Sequence, residues 1–416
     1  MEPSSPAQPV VAGVVAALVG FASSFTVVLT GLRGAGADDR QAASGLMALC
    51  VAVGVVAIVL GLRRRMPVTI AWSTPGAALL VTTTGLDGGF PAAVGAFVVC
   101  GVLIAASGLI PALGRTIAAI PAPIAAAMLA GVLGGLCLTP VRAMLEVPAM
   151  AGPVILVWAL LYRFARTWAV PGALVAAAVA IAVTTPAGGL RGLDPWPVVE
   201  VVAPVWSPPA VFGVGVPLFL VTMASQNVPG MAVLAGFGYR PPLRDVLTAT
   251  GTASAGAAFL GGHAVNLAAI TAALAAGPDA GPDPSRRWIA SVTAGASMIV
   301  LGLGSGLATA LVLLSPPLLI EAVAGLALLG ALAGALTGAF SASEGREGAV
   351  VAFVVTFSGA TFLGVGSAFW GLVAGCLMHA LMRRRAPAAS PAPLTREPAP
   401  EPGLEPALRR EAGGRA

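Results

Sequence analysis

Few residues of this chain can do chemistry, and most of those sit inside apolar stretches. Ser225, Gln226 and Asn227 stand together in VTMASQNVPGMAVL, and Trp72, Ser73, Thr74 and Pro75 run consecutively in AWSTPGAALL. His263 and Asn266 share GGHAVNLAAITAAL. A side-chain amide is costly in hydrocarbon, so Gln226 and Asn227 must face protein, water or a ligand. A hydrogen bond between helices satisfies that demand as well as a solute does. Trp72 and Phe21 suit stacking on a ring or plain packing. The acidic candidates are scarce: Glu321, after SPPLLI, lies deeper than Asp245. Glu321 suits a proton site or a solvated helix end. His263 titrates near neutral pH when unperturbed and suits a proton carrier, or a satisfied buried histidine. His263 and His379 are too far apart for HExxH, and neither GxSxG nor a Walker A pattern occurs. Hydrolase and ATPase chemistry therefore have no constellation to work with, and the expectation is no enzyme, no cofactor and no metal. Cys50, Cys100, Cys137 and Cys376 lie in apolar stretches without CxxC spacing and read as buried thiols.

The elements that position these residues are membrane spans. Of 416 residues 57% are hydrophobic and 9% charged, with a mean hydropathy of +0.94; a soluble domain carries roughly 25% charge. At ~20 residues per helix, the chain from Val10 to Met382 holds about 12 to 14 spans. We place them at 10–31, 43–62, 67–84, 89–110, 121–138, 149–165 and 169–185, then 209–237, 243–260, 262–276, 288–312, 316–336, 347–364 and 367–382. That divides the chain into a cytoplasmic N-terminus (1–9), a first seven-span repeat (10–185), a connector (186–208), a second repeat (209–382) and a Pro-rich disordered tail (383–416). The first span has an acidic lead-in and reads as retained.

All 22 basic residues are arginines. With the N-terminus inside, fourteen (Arg63–Arg65, Arg115, Arg163, Arg166, Arg240, Arg244, Arg286, Arg287, Arg346 and Arg383–Arg385) fall on cytoplasmic loops. Four (Arg33, Arg40, Arg142 and Arg191) fall opposite. That bias follows the positive-inside rule and sets both termini in the cytoplasm. It follows loops and forms no patch for nucleic acid.

The two halves repeat faintly. Leu18, Val19, Ala22 and Ser23 match Leu220, Val221, Ala224 and Ser225 at one offset. Seven spans per half would invert one copy relative to the other, as in many transporters. The third span of each half reads as broken. Val68–Trp72 is β-branched and aromatic, with Thr74 as N-cap and Pro75 opening a helix. His263–Val265 reads as extended, with Asn266 as cap. Irregular backbone within a membrane is tolerated only in protein or beside a cavity. Two facing helix N-termini, each worth about +0.5 charge, would favour an anion. Ser73, Thr74, Ser225, Gln226, Asn227 and Asn266 would add neutral donors, and a neutral polar solute would also fit.

The segments AWSTPGAALL (71–80), VTMASQNVPGMAVL (221–234), NLAAITAAL (266–274) and GVGSAFWGL (364–372) resemble the benzoate/proton symporter (BenE) family, in order, across about 10–382. The resemblance implies an all-α membrane protein of about 14 segments in a 7+7 inverted repeat. It implies a core domain and a gate domain, as in the uracil/proton symporter and the sulfate/bicarbonate transporters. It further implies import of benzoate or a close aromatic carboxylate with protons, across a bacterial inner membrane. The implied substrate site is Trp72, Ser73, Thr74, Pro75, Ser225, Gln226, Asn227, His263 and Asn266; the proton-coupling candidates, His263 and Glu321, come from the residues alone and not from the resemblance. The nucleobase relatives carry acids on span 8 and near span 10 where this chain is neutral, and a tyrosine is common where His263 stands. A nucleobase or inorganic-anion substrate, a passive anion channel and a homo-oligomeric assembly remain open alternatives.

Overall fold

The computed structural model describes residues 7–83, 85–110, 120–184, 199–268, 270–306, 309, 316–341, 345–360, 362, 365 and 367–382. The expected tail, the connector up to 198, and Arg115, Arg191 and Arg383–Arg385 lie outside the described residues.

The chain is mostly helical. Gln8–Ala22 (α1) and Phe25–Gly34 (α2) lead to Asp39–Arg64 (α3), then strand Ile70–Trp72 (β1), Thr74–Val81 (α4) and Gly89–Leu109 (α5). Ala122–Cys137 (α6), Thr139–Glu146 (α7), Pro148–Phe164 (α8) and Ala169–Thr184 (α9) follow. After the connector come Pro208–Gly236 (α10), Leu243–Ala258 (α11), strand Val265–Leu267 (β2) and Ile270–Ala276 (α12). Trp288–Leu303 (α13), Pro317–Phe340 (α14), Arg346–Phe357 (α15) and Ser367–Met382 (α16) complete the described chain. Six segments among the described residues are long and apolar enough to cross a bilayer, counting α1–α2 and α6–α7 each as one. The protein is a multi-pass helical membrane protein.

Local chemistry explains the boundaries. Asp38 opens α3 by accepting from the Gln41 N–H at 2.8 Å, while the Gln41 side chain accepts from the Asp38 N–H at 3.1 Å; this reciprocal cap satisfies two otherwise orphaned donors. Proline stands in the first turn of α6, α7 and α8, where a missing N–H costs nothing.

The span expected at 10–31 is present as one segment, Gln8–Gly34, interrupted at Ser23–Ser24. Two expectations are corrected. The span expected to 364 stops at Phe357, because Gly359 takes φ +66° and turns the chain. The stretch expected as a loop after 138 forms α7, where the Thr139 hydroxyl donates to the carbonyls of Leu136 and Glu321, each at 2.7 Å.

Small residues set the closest packing. On α5 and α11, Gly101 and Ala105 face Gly251 and Ala255. A Cβ added to Gly251 would lie 2.3 Å from the Ala105 nitrogen, and one on Gly101 2.5 Å from the Ala255 nitrogen. Gly54 on α3 and Gly295 on α13 meet in the same way, a Cβ on either falling within 2.7 Å of the other's carbonyl oxygen. In lipid, helix association rests on such close van der Waals contact rather than on the hydrophobic effect.

Contacts also define two ends of the bundle. At one, Arg64 pairs with Asp245, and the Arg65 guanidinium sits 5.7 Å over the Trp288 ring. At the other, the Ser44 hydroxyl donates to the carbonyls of Glu200 and Leu260 at 3.2 and 3.0 Å, and Arg40 pairs with Glu200.

Gly251→Val should cost about 1–3 kcal/mol by forcing α5 and α11 apart, read as a lower thermal midpoint in detergent. Gly256→Val, with nothing within 4 Å of the added Cβ, should change stability by less than about 0.5 kcal/mol.

Candidate functional site

The site begins with two extended segments buried inside the bundle. β1 and β2 pair antiparallel, Ile70 opposite Leu267, Ala71 opposite Asn266 and Trp72 opposite Val265. The ladder continues beyond them: the Ser73 N–H donates to the Ala264 carbonyl at 2.9 Å, and the Ala268 N–H to the Thr69 carbonyl at 3.0 Å. Side chains satisfy the outer edges. The Leu267 N–H donates to Asn227 Oδ1 at 3.0 Å, the Val265 N–H to Ser254 Oγ at 2.8 Å, and the Ser291 hydroxyl to the Val68 carbonyl.

This pairing changes two expected roles. Asn266 does not cap a helix: it sits in mid-strand, fully buried, and α12 starts only at Ile270. In the amide orientation its neighbours require, its oxygen accepts from the Ser73 N–H at 2.9 Å and its NH2 donates to the Leu267 carbonyl at 2.7 Å. The cap of α4 is Ser73, one residue before the expected Thr74. Its Oγ accepts from the Gly76 N–H at 3.1 Å and from the Thr222 hydroxyl at 2.8 Å. Thr74 and Pro75 form the first turn.

Two more helices depart from regularity here. Between α1 and α2, the Ser24 hydroxyl donates to the Gly20 carbonyl at 2.9 Å and accepts from the Trp72 indole N–H at 3.0 Å. The edge of Phe21 meets Trp72 with centroids 5.9 Å apart. In α10, Met223–Asn227 widens into a π turn, the Val228 N–H reaching five residues back to the Met223 carbonyl; such turns occur frequently at functional sites. The faint repeat matches Ser23 to Ser225, and each lies at one of these two irregularities.

β1, the start of α4 and the two irregular helices border one cavity of about 1670 Å3. Trp72, Thr74, Pro75, Ser225, Gln226 and Asn227 line it, as do Ser23, Ser24 and Thr271, which sequence reasoning did not assign to the site. Gln226 has no hydrogen-bond partner among the described residues, whereas Asn227 spends its oxygen on β2. Ser73, His263 and Asn266 are not in the wall; they are fully buried behind it. His263 packs edge-on to Phe97 at 6.4 Å. Its Nδ1 accepts from the Ala264 N–H at 2.6 Å, and its Nε2 has no partner among the described residues. Glu321 lies apart from the cavity, at the start of α14 beside α7.

The charges of the wall are one-signed. Arg166 and Arg244 line the cavity, and no described carboxylate does. Arg244 adjoins the end where its neighbour Asp245 pairs with Arg64, the arginine-rich end, and Ser107 and Gly108 line the cavity beside it. None of the residues joining the opposite end (Ser44, Glu200, Leu260) takes part in the wall. The far end of α12 is closed by Arg287, 8% exposed, which donates to the Ala276 and Gly281 carbonyls at 2.8 and 2.9 Å. That cation balances the negative helix end. The wall thus offers the first turn of α4, the Gln226 amide and small hydroxyls: donors for a solute anion, with apolar Met223, Met231 and Leu328 around them.

A multi-pass helical frame with paired helix breaks around a one-signed cavity belongs to the secondary transporters. Within that class the chain is a member of the BenE family, whose benzoate membrane transport protein model matches residues 3–381. It is 38% identical over 385 residues to inner membrane protein YdcO of Escherichia coli (strain K12), covering 91% of this chain and 97% of that protein. It is 32% identical over 383 residues to the benzoate membrane transport protein of Acinetobacter baylyi (strain ATCC 33305 / BD413 / ADP1), covering 89% and 94%. Among solved structures, the fold is similar to the transmembrane domain of a cyanobacterium bicarbonate transporter, BicA. There the TM-score is 0.57 at 14% identity, covering 90% of this chain and 99% of that one. SLC26A9 gives a TM-score of 0.57 at 15% identity, covering 89% and 64%.

Ser73→Ala removes both the α4 cap and the Thr222 partner. It should cost about 1–2 kcal/mol, read as a lower unfolding midpoint in detergent. Thr222→Val, which leaves the cap in place, should cost less.

Proposed function

We propose that the protein is a proton-coupled symporter that brings benzoate or a close aromatic carboxylate into the cytoplasm across a bacterial inner membrane. The single observation that carries this reading is the cavity wall, which combines an uncapped amide, a half-helix N-terminus and two arginines with no described carboxylate. The benzoate transport relative supports the substrate class, and the apolar lining around Trp72 suits an aromatic ring.

Fourteen spans in a 7+7 inverted repeat fit the same observations. The antiparallel strands, and the matching breaks at Ser23 and Ser225, support two inverted copies. Core and gate domains fit the packing: α8, α9 and the first part of α14 share a separate small apolar cluster including Val154, Ala177 and Val323. The opposing wall of α14 carries Gly330, Ala331, Gly334, Ala335 and Gly338. From Gly330 on, this wall carries no side chain larger than a methyl and is suited to sliding. With the arginine-rich end cytoplasmic, the cavity would be the inward-open state.

In this reading Gln226 and the α4 turn hold the carboxylate. His263, one strand behind the wall with a free Nε2, and Glu321 are the candidates for the coupled proton.

In proteoliposomes, an inside-alkaline pH gradient should drive labelled benzoate above equilibrium; no response to the gradient would remove the coupling claim. Competition by nucleobases or bicarbonate, if stronger than by substituted benzoates, would replace the substrate. Gln226→Ala should raise the apparent Kd about 10- to 150-fold, the equivalent of about 1.5–3 kcal/mol for one hydrogen bond to a charged group, without loss of folded protein.

A further inference from the structure

The α8 end of the cavity holds a side-chain array that the deep site does not use. Trp158, Tyr162 and Arg166 follow one another at four-residue spacing, which stacks side chains along one helix face. All three line the cavity. The Trp158 and Tyr162 rings stack with centroids 4.8 Å apart and planes 26° from parallel. The Arg166 guanidinium lies 4.7 Å over the Tyr162 ring, and its Nη2 donates to the phenol oxygen at 2.6 Å. α8 stops at Phe164, and the turn Arg166–Trp168 brings the guanidinium back onto the ring.

Two features of the array are unspent. Among the described residues Arg166 has no carboxylate partner, although Arg33, Arg40 and Arg64 each have one. The Trp158 indole N–H is shielded from solvent and has no hydrogen-bond partner among the described residues. A buried donor left unpaired is destabilising unless something else accepts from it. The tyrosine holds the guanidinium by one donor and leaves the remaining N–H groups of its fork for a planar anion.

We infer that Trp158, Tyr162 and Arg166 form a second, outer binding site for an aromatic carboxylate, between the deep cavity and the arginine-rich end. The carboxylate pairs with the Arg166 fork, and the ring lies along the Trp158–Tyr162 face. Arg244, also in the wall and unpaired among the described residues, adds positive potential and concentrates anions at this mouth. The inference rests on the proposed substrate class, and the outer site is a waypoint for the same solute.

Calorimetric titration of benzoate into the purified full-length protein tests it. Wild type should show two classes of sites. The weaker one should be salt-sensitive, because its anion is held by an exposed cation. Arg166→Gln should weaken that class about tenfold or abolish it, and Trp158→Phe should weaken it less; the tighter class should persist in both. Gln226→Ala should do the reverse. A single class in wild type that Gln226→Ala removes and Arg166→Gln does not would overturn the outer site and leave the proposed function standing. No benzoate binding at all would overturn both. Two classes indifferent to Arg166→Gln and Trp158→Phe, with only the unfolding midpoint lowered, would make the array an interfacial anchor and end the proposal.

Discussion

Backbone hydrogen bonding inside the bundle is the constraint on which the rest depends. A peptide N–H or C=O left unpaired in hydrocarbon costs several kcal/mol, so an extended segment there must find a partner for each group. β1 and β2 find each other. Ser254, Ser291 and Asn227 complete their edges from α11, α13 and α10. Because β1 comes from the first half of the chain and β2 and those three helices from the second, the cavity wall is built from both halves at once. Asn227 shows the trade involved: an amide next to the cavity is committed to the strand, and its neighbour Gln226 is left free for a solute.

The same constraint accounts for the polarity of the site. Ending a helix inside the bundle exposes N–H groups at its start, and Ser73 satisfies one of them while the first turn of α4 still faces the cavity. At α12 the opposite, negative end is neutralised by buried Arg287. Positive ends toward the cavity and no described carboxylate in its wall make a place for an anion without a buried lysine or arginine at the deep site. Arginine enters only toward the mouth, where water screens it. Close glycine contacts hold α5 to α11 and α3 to α13. The small-residue face of α14 lacks such interlocking.

Much of this was legible in the residues. Helical spans come from long apolar runs, and their ends lay within a few residues of the helices at 39–64, 89–109 and 169–184. The extended character of Ile70–Trp72 was legible because β-branched and aromatic residues precede a Ser-Thr-Pro cap signal. Strand register was not: nothing local says that Asn266 lies opposite Ala71, so Asn266 looked like a cap for a helix that starts four residues later. Thr74 and Ser73 are equally good caps by type, and Ser73 is fixed by partners distant in sequence, its N–H on the Ala264 carbonyl and its Oγ under the Thr222 hydroxyl. The break at Ser23–Ser24 has no proline or left-handed glycine to announce it. Its one signal was the match of Leu18–Ser23 to Leu220–Ser225. The Trp158–Tyr162–Arg166 array was hidden because four-residue spacing of aromatics reads as ordinary packing until a cavity is seen beside it.

In the proposed function, the meeting point of α1, β1–α4 and α10 holds the anion, which reaches it from the arginine-rich end. In a cysteine-free background, Ser225→Cys offers one reactive thiol in the wall, and Ser44→Cys offers one at the opposite end. A membrane-impermeant thiol reagent should modify Ser225→Cys from the cytoplasmic face, and benzoate should slow this modification in proportion to its occupancy, with no such effect at Ser44→Cys. A modification rate at Ser225→Cys unchanged by saturating benzoate would contradict this placement of the anion.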